Sequence, residues 1–325
     1  MHKRKIKVLA IIHGEDVFIR KLIESLEKEF IDIERFYLIS RTNPIKILRD
    51  FLRLRKKINK FKPNIIHAHY GTMTSFFAAY TSFIPLVITF HGSDLNKTPL
   101  DGFFRDIIGR FLSQISALRA KSIICVSKKL KESLWWFKDK VEIIPTGIDV
   151  SLFKPMDKYE CRKKLSLDFN KKYILFCSSK RKIKRLDIAM EVVNKLNNNN
   201  LYNLLELDGF IDNNLLPVYM NAADCLLVCS DNEGSPTIMK EAMACNLPIV
   251  SNDVGDIAER LKNVNNSIIS VRTPEDLSRA VLEIINRNER SNGRDVLIND
   301  GLTENIVTDR IIKNYSNILS SKRIL

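Results

Sequence analysis

The sequence predicts an α/β protein in which two doubly wound parallel sheets follow one another along the chain. Three observations predict it. Short apolar runs of strand length alternate with amphipathic runs of helix length from end to end, the pattern of parallel strands joined by helical crossovers. The alternation breaks once, at Pro145-Thr-Gly-Ile-Asp-Val-Ser-Leu-Phe-Lys-Pro155, and then restarts. At 325 residues, 45% of them hydrophobic, the chain is long enough to bury two separate cores. The expected division is a first domain over 1–155 and a second over 156–302, followed by a last helix near 303–325.

In the first half, strands are expected near 6–12, 34–39, 64–68, 86–90, 122–126 and 141–144. Helices are expected near 17–30, 45–61, 72–82, 103–119 and 128–137. The basic start of the chain precedes an apolar stretch of only about seven residues, without a small-residue cleavage site. It reads as the first strand rather than a leader. Tyr70 to Phe90 is 21 residues without a charge, near the length of a membrane span, yet it holds six Ser or Thr residues and is divided by Pro85. A buried helix and then a central strand, Leu86 to Phe90, is the expected reading. In the second half, strands are expected near 172–178, 203–208, 224–229, 247–251 and 267–270.

Charge is unevenly placed. The formal net charge is +14, and residues 1–155 hold 28 Lys and Arg against 15 Asp and Glu. Within the 44–62 helix, Lys46, Arg49, Arg53, Lys56 and Lys60 form one basic stripe. Ile47, Phe51, Leu54, Ile58 and Phe61 form an apolar face, which Ile45, Leu48 and Leu52 widen. Such a helix packs its apolar side on a sheet and offers its basic side to water or to anionic headgroups; the two readings are compatible. The positive charge also motivates a nucleic-acid-binding alternative, but the basic residues lack interleaved aromatics or a recognisable binding module, and no nucleic-acid partner is expected. The six cysteines show no C-x-x-C spacing, and several fall in strand-like runs, so they read as reduced core residues of a cytosolic protein.

The most specific stretch is Ser230-Asp-Asn-Glu-Gly-Ser-Pro-Thr-Ile-Met-Lys-Glu-Ala-Met-Ala-Cys-Asn246, followed by Leu-Pro-Ile-Val250 and Val254-Gly-Asp-Ile-Ala-Glu259. Glu233 falls on a loop and Glu241 on the helix after it. Ser235 is expected to cap that helix, with Pro236 in its first turn, where a missing N–H costs nothing. Two carboxylates then meet backbone donors and the positive end of a helix dipole, which suits an anionic, hydroxyl-rich ligand. The string resembles the signature of the retaining glycosyltransferases of family 4, of the two-domain GT-B type with two Rossmann-like domains facing a cleft. Similar strings recur along nearly the whole chain, nearest the branch that makes teichuronic acid and related surface polysaccharides.

The resemblance implies retaining, metal-independent transfer of a sugar from a nucleotide-diphosphate sugar, expected to be a UDP-sugar, to a lipid-linked or polysaccharide acceptor. It implies that Glu241 binds the ribose hydroxyls and Glu233 the donor sugar, assisted by amides near Gly234, Ser235 and Thr237. The diphosphate falls to the basic loop Ser178-Ser-Lys-Arg-Lys-Ile-Lys-Arg-Leu-Asp187, where Lys184 stands at the family's lysine and Arg181 substitutes for an arginine whose usual place holds Ser179. His91 corresponds to the histidine beside the reacting centre. On the acceptor side stand His13 and Gly14, where relatives carry a Gly-Gly turn, together with His67 and His69 at a strand end. His67-Ala-His69 also has the spacing of a metal pair, but lacks a third ligand at a telling spacing. No Asp-x-Asp triplet is present; neither a metal nor another cofactor is expected. By the same resemblance the last helix returns to the first domain, and the protein works in the cytoplasm, peripherally at the inner membrane face. The rival of the same fold is a nucleotide-sugar epimerase.

Overall fold

A computed structural model describes residues 5–14, 16–97, 102–197, 200–209 and 211–320. Glu15, Asn198, Asn199, Phe210 and the last five positions of the expected terminal helix lie outside the described residues. Contacts divide the chain into two units: the first runs to Gly147 and resumes at Glu304, and the second spans Ile148–Thr303.

The first unit is built from β1 (Lys7–Ile12), α1 (Val17–Lys28), β2 (Asp32–Tyr37), α2 (Pro44–Phe61), β3 (Ile65–His69), α3 (Thr72–Thr81), β4 (Leu86–Phe90), α4 (Phe103–Arg119), β5 (Ser122–Cys125), α5 (Lys128–Glu132) and β6 (Val141–Ile143). Its sheet has the order β2-β1-β3-β4-β5-β6, with every pairing parallel. β3 and β4 are buried along their whole length, which explains why Ile65-Ile-His-Ala-His69 and Leu86-Val-Ile-Thr-Phe90 do not alternate in polarity. The uncharged run 70–90 divides into α3 and β4 around Pro85 as the sequence predicts. Among the described residues no helix is long and apolar enough to cross a membrane.

α2 starts where its sequence says it should. Asn43 accepts from the Lys46 amide at 3.1 Å and Pro44 occupies the first turn, a cap of the kind that contributes about 1 kcal/mol. Leu54, Ile58 and Phe61 enter the core, with Ile47 and Phe51 packed against it. α5, by contrast, ends at Glu132 instead of near 137. Gln114 of α4 supplies the reason: its side chain accepts from the Trp135 amide and donates to the Ser133 carbonyl, and its carbonyl accepts from the Trp136 indole. These bonds draw residues 133–136 onto α4 and away from helical geometry.

The second unit contains α6 (Lys158–Lys164), β7 (Lys172–Cys177), α7 (Leu186–Leu196), β8 (Tyr202–Leu207), α8 (Leu216–Ala222), β9 (Cys225–Val228), α9 (Thr237–Ala244), β10 (Ile249–Ser251), α10 (Ile257–Leu261), β11 (Ile268–Ile269), α11 (Pro274–Arg287) and α12 (Gly293–Asn299). Its parallel sheet runs β11-β10-β9-β7-β8. Both sheets therefore reverse direction beside their first strand, at β1/β3 and at β7/β9. At such a switch point neighbouring loops splay apart beyond the carboxyl ends of the strands and leave room for a ligand.

The last helix, α13 (Glu304–Ser320), belongs to the first unit. Val307, Ile311, Tyr315 and Ile318 recur at helical spacing and pack with Val8, Ile65, Val87 and Ile124. All six cysteines are free thiols, five of them buried and Cys177 partly so.

Candidate functional site

In the second unit, the loops after β7 and β9 meet at the switch point. Lys184 Nζ lies 2.5 Å from Glu233 Oε1, and Ser230 Oγ donates to the same oxygen at 2.8 Å. Both charged side chains are 12% exposed, so the pair is largely withdrawn from water. Backbone bonds hold the two loops in register: the Asp231 amide donates to the Ile183 carbonyl at 2.9 Å. Arg272 bonds the Ser230 carbonyl at 3.1 Å and Asp231 at 2.5 Å, and Arg185 reaches Asp231 at 3.2 Å. The cations around this junction thus divide. Arg185 and Arg272 fasten the loop, Lys184 faces Glu233, and Arg181 is exposed at the turn that precedes them.

α9 opens differently from the sequence expectation. Its N-cap is Pro236 itself, and Ser235 makes no capping bond. Ser235 Oγ instead donates to Asp256 Oδ2 at 2.8 Å and accepts from Lys240 Nζ at 3.1 Å. Asp256 also accepts from Arg260 Nε at 3.1 Å. A buried carboxylate offers Ser235 a stronger, charge-assisted partner than the amides of its own helix. Lys240 is fully buried, and that burial brings its pKa down to about 8, with Asp256 opposing the fall. Gly255, at φ +60°, lets this segment approach: a Cβ there would lie 3.1 Å from the Glu233 Cβ and from the Gly234 carbonyl. Glu233, Gly234, Ser235 and Thr237 are therefore brought together on one loop and helix start. Glu241 lies one turn further along α9, half-buried.

In the first unit, three segments meet at the carboxyl ends of β1, β3 and β4: His13-Gly14, Tyr70-Gly-Thr72 and His91-Gly-Ser-Asp94. Asp94 ties the second and third of them together. Its buried carboxylate accepts from the amides of Gly71 at 2.9 Å, Gly92 at 2.8 Å and His91 at 3.1 Å. Desolvation pushes its pKa up while those amides oppose the rise. Tyr70 and Thr72 both have positive φ, 75° and 55°, a conformation that costs a β-branched residue such as Thr72. The Thr72 amide is held there by Ser113 Oγ at 2.7 Å. Gly71 between them has no room for a side chain, because a Cβ would meet Ser113 Oγ and the Phe90 ring.

The histidines form an inward column. His67 and His69 stack at 4.1 Å between centroids, His69 and His91 at 5.9 Å, and Tyr70 lies 4.6 Å from His91. His67 bonds the Tyr315 hydroxyl at 2.6 Å and Thr89 at 2.7 Å, so both of its ring nitrogens are engaged. His67 and His69 are each 1% exposed and lie inside the unit, beneath the loops that carry His13 and His91. Burial takes the His67 pKa well below its usual value and that of His69 to about 3. Both rings are neutral near pH 7. Among the described residues no group of three His, Cys, Asp or Glu could hold a metal ion. His13 is also pushed down, by burial and then by the positive charge of Arg41.

Sequence reasoning missed Asp94, Ser230, Lys240, Asp256 and Tyr315. Lys240 did carry a signal: it lies three residues before Met243 and four before Ala244, on the face of α9 that is buried.

Two family models match the chain. That for Glycosyltransferase Family 4 matches residues 1–152, and that for Glycosyl transferases group 1 matches residues 188–287; together they take in most of the sequence. Among curated proteins, TuaC of Bacillus subtilis, assigned to teichuronic acid biosynthesis as a glycosyltransferase, is 26% identical over 241 residues. The match takes in 67% of this chain and 60% of that protein, less than two thirds of the relative's length. Among solved structures, sucrose-phosphate synthase from Thermosynechococcus elongatus superposes with a TM-score of 0.78 at 16% identity, covering 98% of this chain and 100% of that one. HepE of Anabaena, solved with UDP and glucose, gives 0.76 at 16% identity, covering 96% and 99%. At such identities the likeness is one of fold.

Proposed function

The chain belongs to the family 4 and group 1 glycosyltransferases of GT-B fold, and on that premise we propose that it transfers a sugar from a UDP-sugar to a lipid-linked or polysaccharide acceptor. We infer retention of configuration and no requirement for a metal. One observation carries the proposal: Lys184 and Glu233 are held 2.5 Å apart at the switch point of the second unit. A fixed cation there suits a departing diphosphate, and a carboxylate beside it suits sugar hydroxyls. Arg181 supplements the cation, Glu241 takes the ribose, and the amides near Gly234, Ser235 and Thr237 complete the donor contacts. We assign His91 a role in the transfer step, with His13 and Gly14 serving the acceptor. His67 and His69 support that surface from beneath.

HepE, of the same fold, was solved with UDP and glucose, which supports a UDP donor here. The assignment of TuaC to teichuronic acid biosynthesis supports a cell-surface glycan acceptor. The exposed basic stripe of α2 supports work in the cytoplasm, at the inner face of an anionic membrane.

Thermal stabilisation by UDP-, GDP- and ADP-sugars, without added metal and with a chelator, tests the donor assignment. A UDP-sugar at a hundred times its dissociation constant is expected to add about 2.7 kcal/mol of stability, and Glu241→Ala is expected to abolish the shift. Stabilisation by none of the nucleotides would remove the donor assignment. Free UDP appearing together with an elongated acceptor separates transfer from epimerisation.

A further inference from the structure

We propose that the first unit binds a phosphate-bearing lipid as a single molecule, its head in a cation-lined cavity and its hydrocarbon chain in an adjoining apolar groove. The inference rests on the transferase reading, for which it names the acceptor class.

The cavity has a volume of about 510 Å³, within the ordinary range for small-molecule sites. Arg41, Arg105 and Arg110 line it, with Asp94 and Asp106 as its acidic members. Asp94 is engaged by the three amides it holds, and Asp106 is matched by Arg110 in a two-bond contact of 3.0 and 2.8 Å. The excess charge of the lining is positive, and Arg41 and Arg105 also bear on His13, where both oppose a second positive charge. Tyr70 lines the same cavity and contacts His91, which sets the cationic space beside the expected reacting centre. Planar guanidinium forks in such a space are suited to phosphate oxygens.

The groove lies between α2 and α3, also about 510 Å³, and its lining contains no charged residue. Ile47, Leu48, Phe51, Phe76 and Tyr80 supply its walls, and Met73 lines both groove and cavity. Along its lip, Ile45, Leu48 and Leu52 are 80%, 62% and 60% exposed, so α2 carries more apolar surface than the unit covers. Lys46 and Arg49 stand exposed among them. An apolar trough that adjoins a cationic pocket across one shared side chain, under a basic and apolar lip, complements an anionic amphiphile.

The test uses calorimetric titration with decyl phosphate below its micellar concentration, against decanol and inorganic phosphate, with no donor and no vesicles present. Decyl phosphate is expected to bind at least about thirtyfold more tightly than either part alone. Arg105→Gln is expected to weaken decyl phosphate about tenfold and leave decanol unchanged. Leu48→Asn, at an exposed position, is expected to weaken decyl phosphate and leave inorganic phosphate unchanged. Decyl phosphate binding no better than inorganic phosphate, binding only as micelles, or equal binding by both variants would overturn the proposal. The stabilisation by UDP-sugar is read through Glu241 in the second unit. Loss of lipid binding with that shift intact refutes this inference alone, whereas loss of the shift with lipid binding intact refutes the transferase reading.

Discussion

Lys240→Met tests whether the buried lysine of α9 carries the electrostatic cost that its surroundings imply. Its ammonium is fully buried, hydrogen-bonded to Ser235 at 3.1 Å, and its pKa falls from 10.5 to about 8 through desolvation. The folded chain thus releases its proton near pH 8, while the unfolded chain holds it to about pH 10.5. Across that window the unfolded state binds more protons, so stability rises with pH; below pH 8 the buried charge opposes folding. At roughly 1.4 kcal/mol per pH unit the full effect is about 3 kcal/mol. Between pH 7 and pH 9 the native lysine changes from mostly charged to mostly neutral, which recovers about 1.3 kcal/mol of it. Methionine keeps the stem and removes the titration. The stability of the native chain relative to Lys240→Met is therefore expected to rise by about 1.3 kcal/mol from pH 7 to pH 9. Buried thiols such as Cys245, pushed up to about 12, titrate identically in both proteins and cancel. Urea unfolding at constant ionic strength reads the gap. Trp135 and Trp136 report the first unit alone, so a transition seen by circular dichroism and not by tryptophan fluorescence belongs to the second. A gap constant to within about 0.5 kcal/mol would refute the reasoning.

Two further outcomes are expected. Lys184→Met leaves the Glu233 carboxylate without its cation at 12% exposure, so melting should show a loss of about 3 kcal/mol and calorimetry a donor affinity lowered at least tenfold; unchanged donor binding would remove Lys184 from the diphosphate site. Tyr315→Phe deletes the hydroxyl 2.6 Å from His67 and leaves a buried ring nitrogen without its partner, so urea unfolding followed by tryptophan fluorescence should show a loss of about 1–3 kcal/mol from the first unit, with UDP-sugar stabilisation of the second unit unchanged.

Local information proved legible in the sequence and long-range pairing did not. The strands were visible because a strand buried on both faces is apolar throughout, as Leu86-Val-Ile-Thr-Phe90 is, and α2 because Asn43-Pro44 announces its start. The placement of Glu233 on a loop and Glu241 on the next helix follows from the same short-range logic. Ser235 illustrates the limit. Its position before a helix predicts a cap, but Asp256, 21 residues on, competes for its hydroxyl and wins because a buried carboxylate is the better acceptor. His67 read as an acceptor-side group at a strand end, yet its partner Tyr315 lies 248 residues away, on a helix whose return to this unit no local pattern reveals. The helix boundary at Glu132 was misplaced for a similar reason, since Gln114 sits on another element.

These long-range bonds share one arrangement in the two units. In each, a buried ionisable side chain fastens the loops at a switch point: Asp94 collects three backbone amides in the first, and Lys240 with Asp256 grips Ser235 in the second. Of the groups assigned to ligands, His13, His91 and Glu233 stand on loops and Glu241 on α9, and all retain partial exposure. A fully desolvated fastener bears mainly on unfolding, for or against the fold as its charge dictates, whereas a half-exposed ligand group such as Glu241 bears little on it. Substitutions should accordingly separate into two classes. Those at Asp94, Lys240 and Asp256 should alter unfolding first and ligand binding only through loop position, while Glu241→Ala should alter binding with little change in unfolding. A substitution that behaved in the opposite sense would reassign its residue from one role to the other.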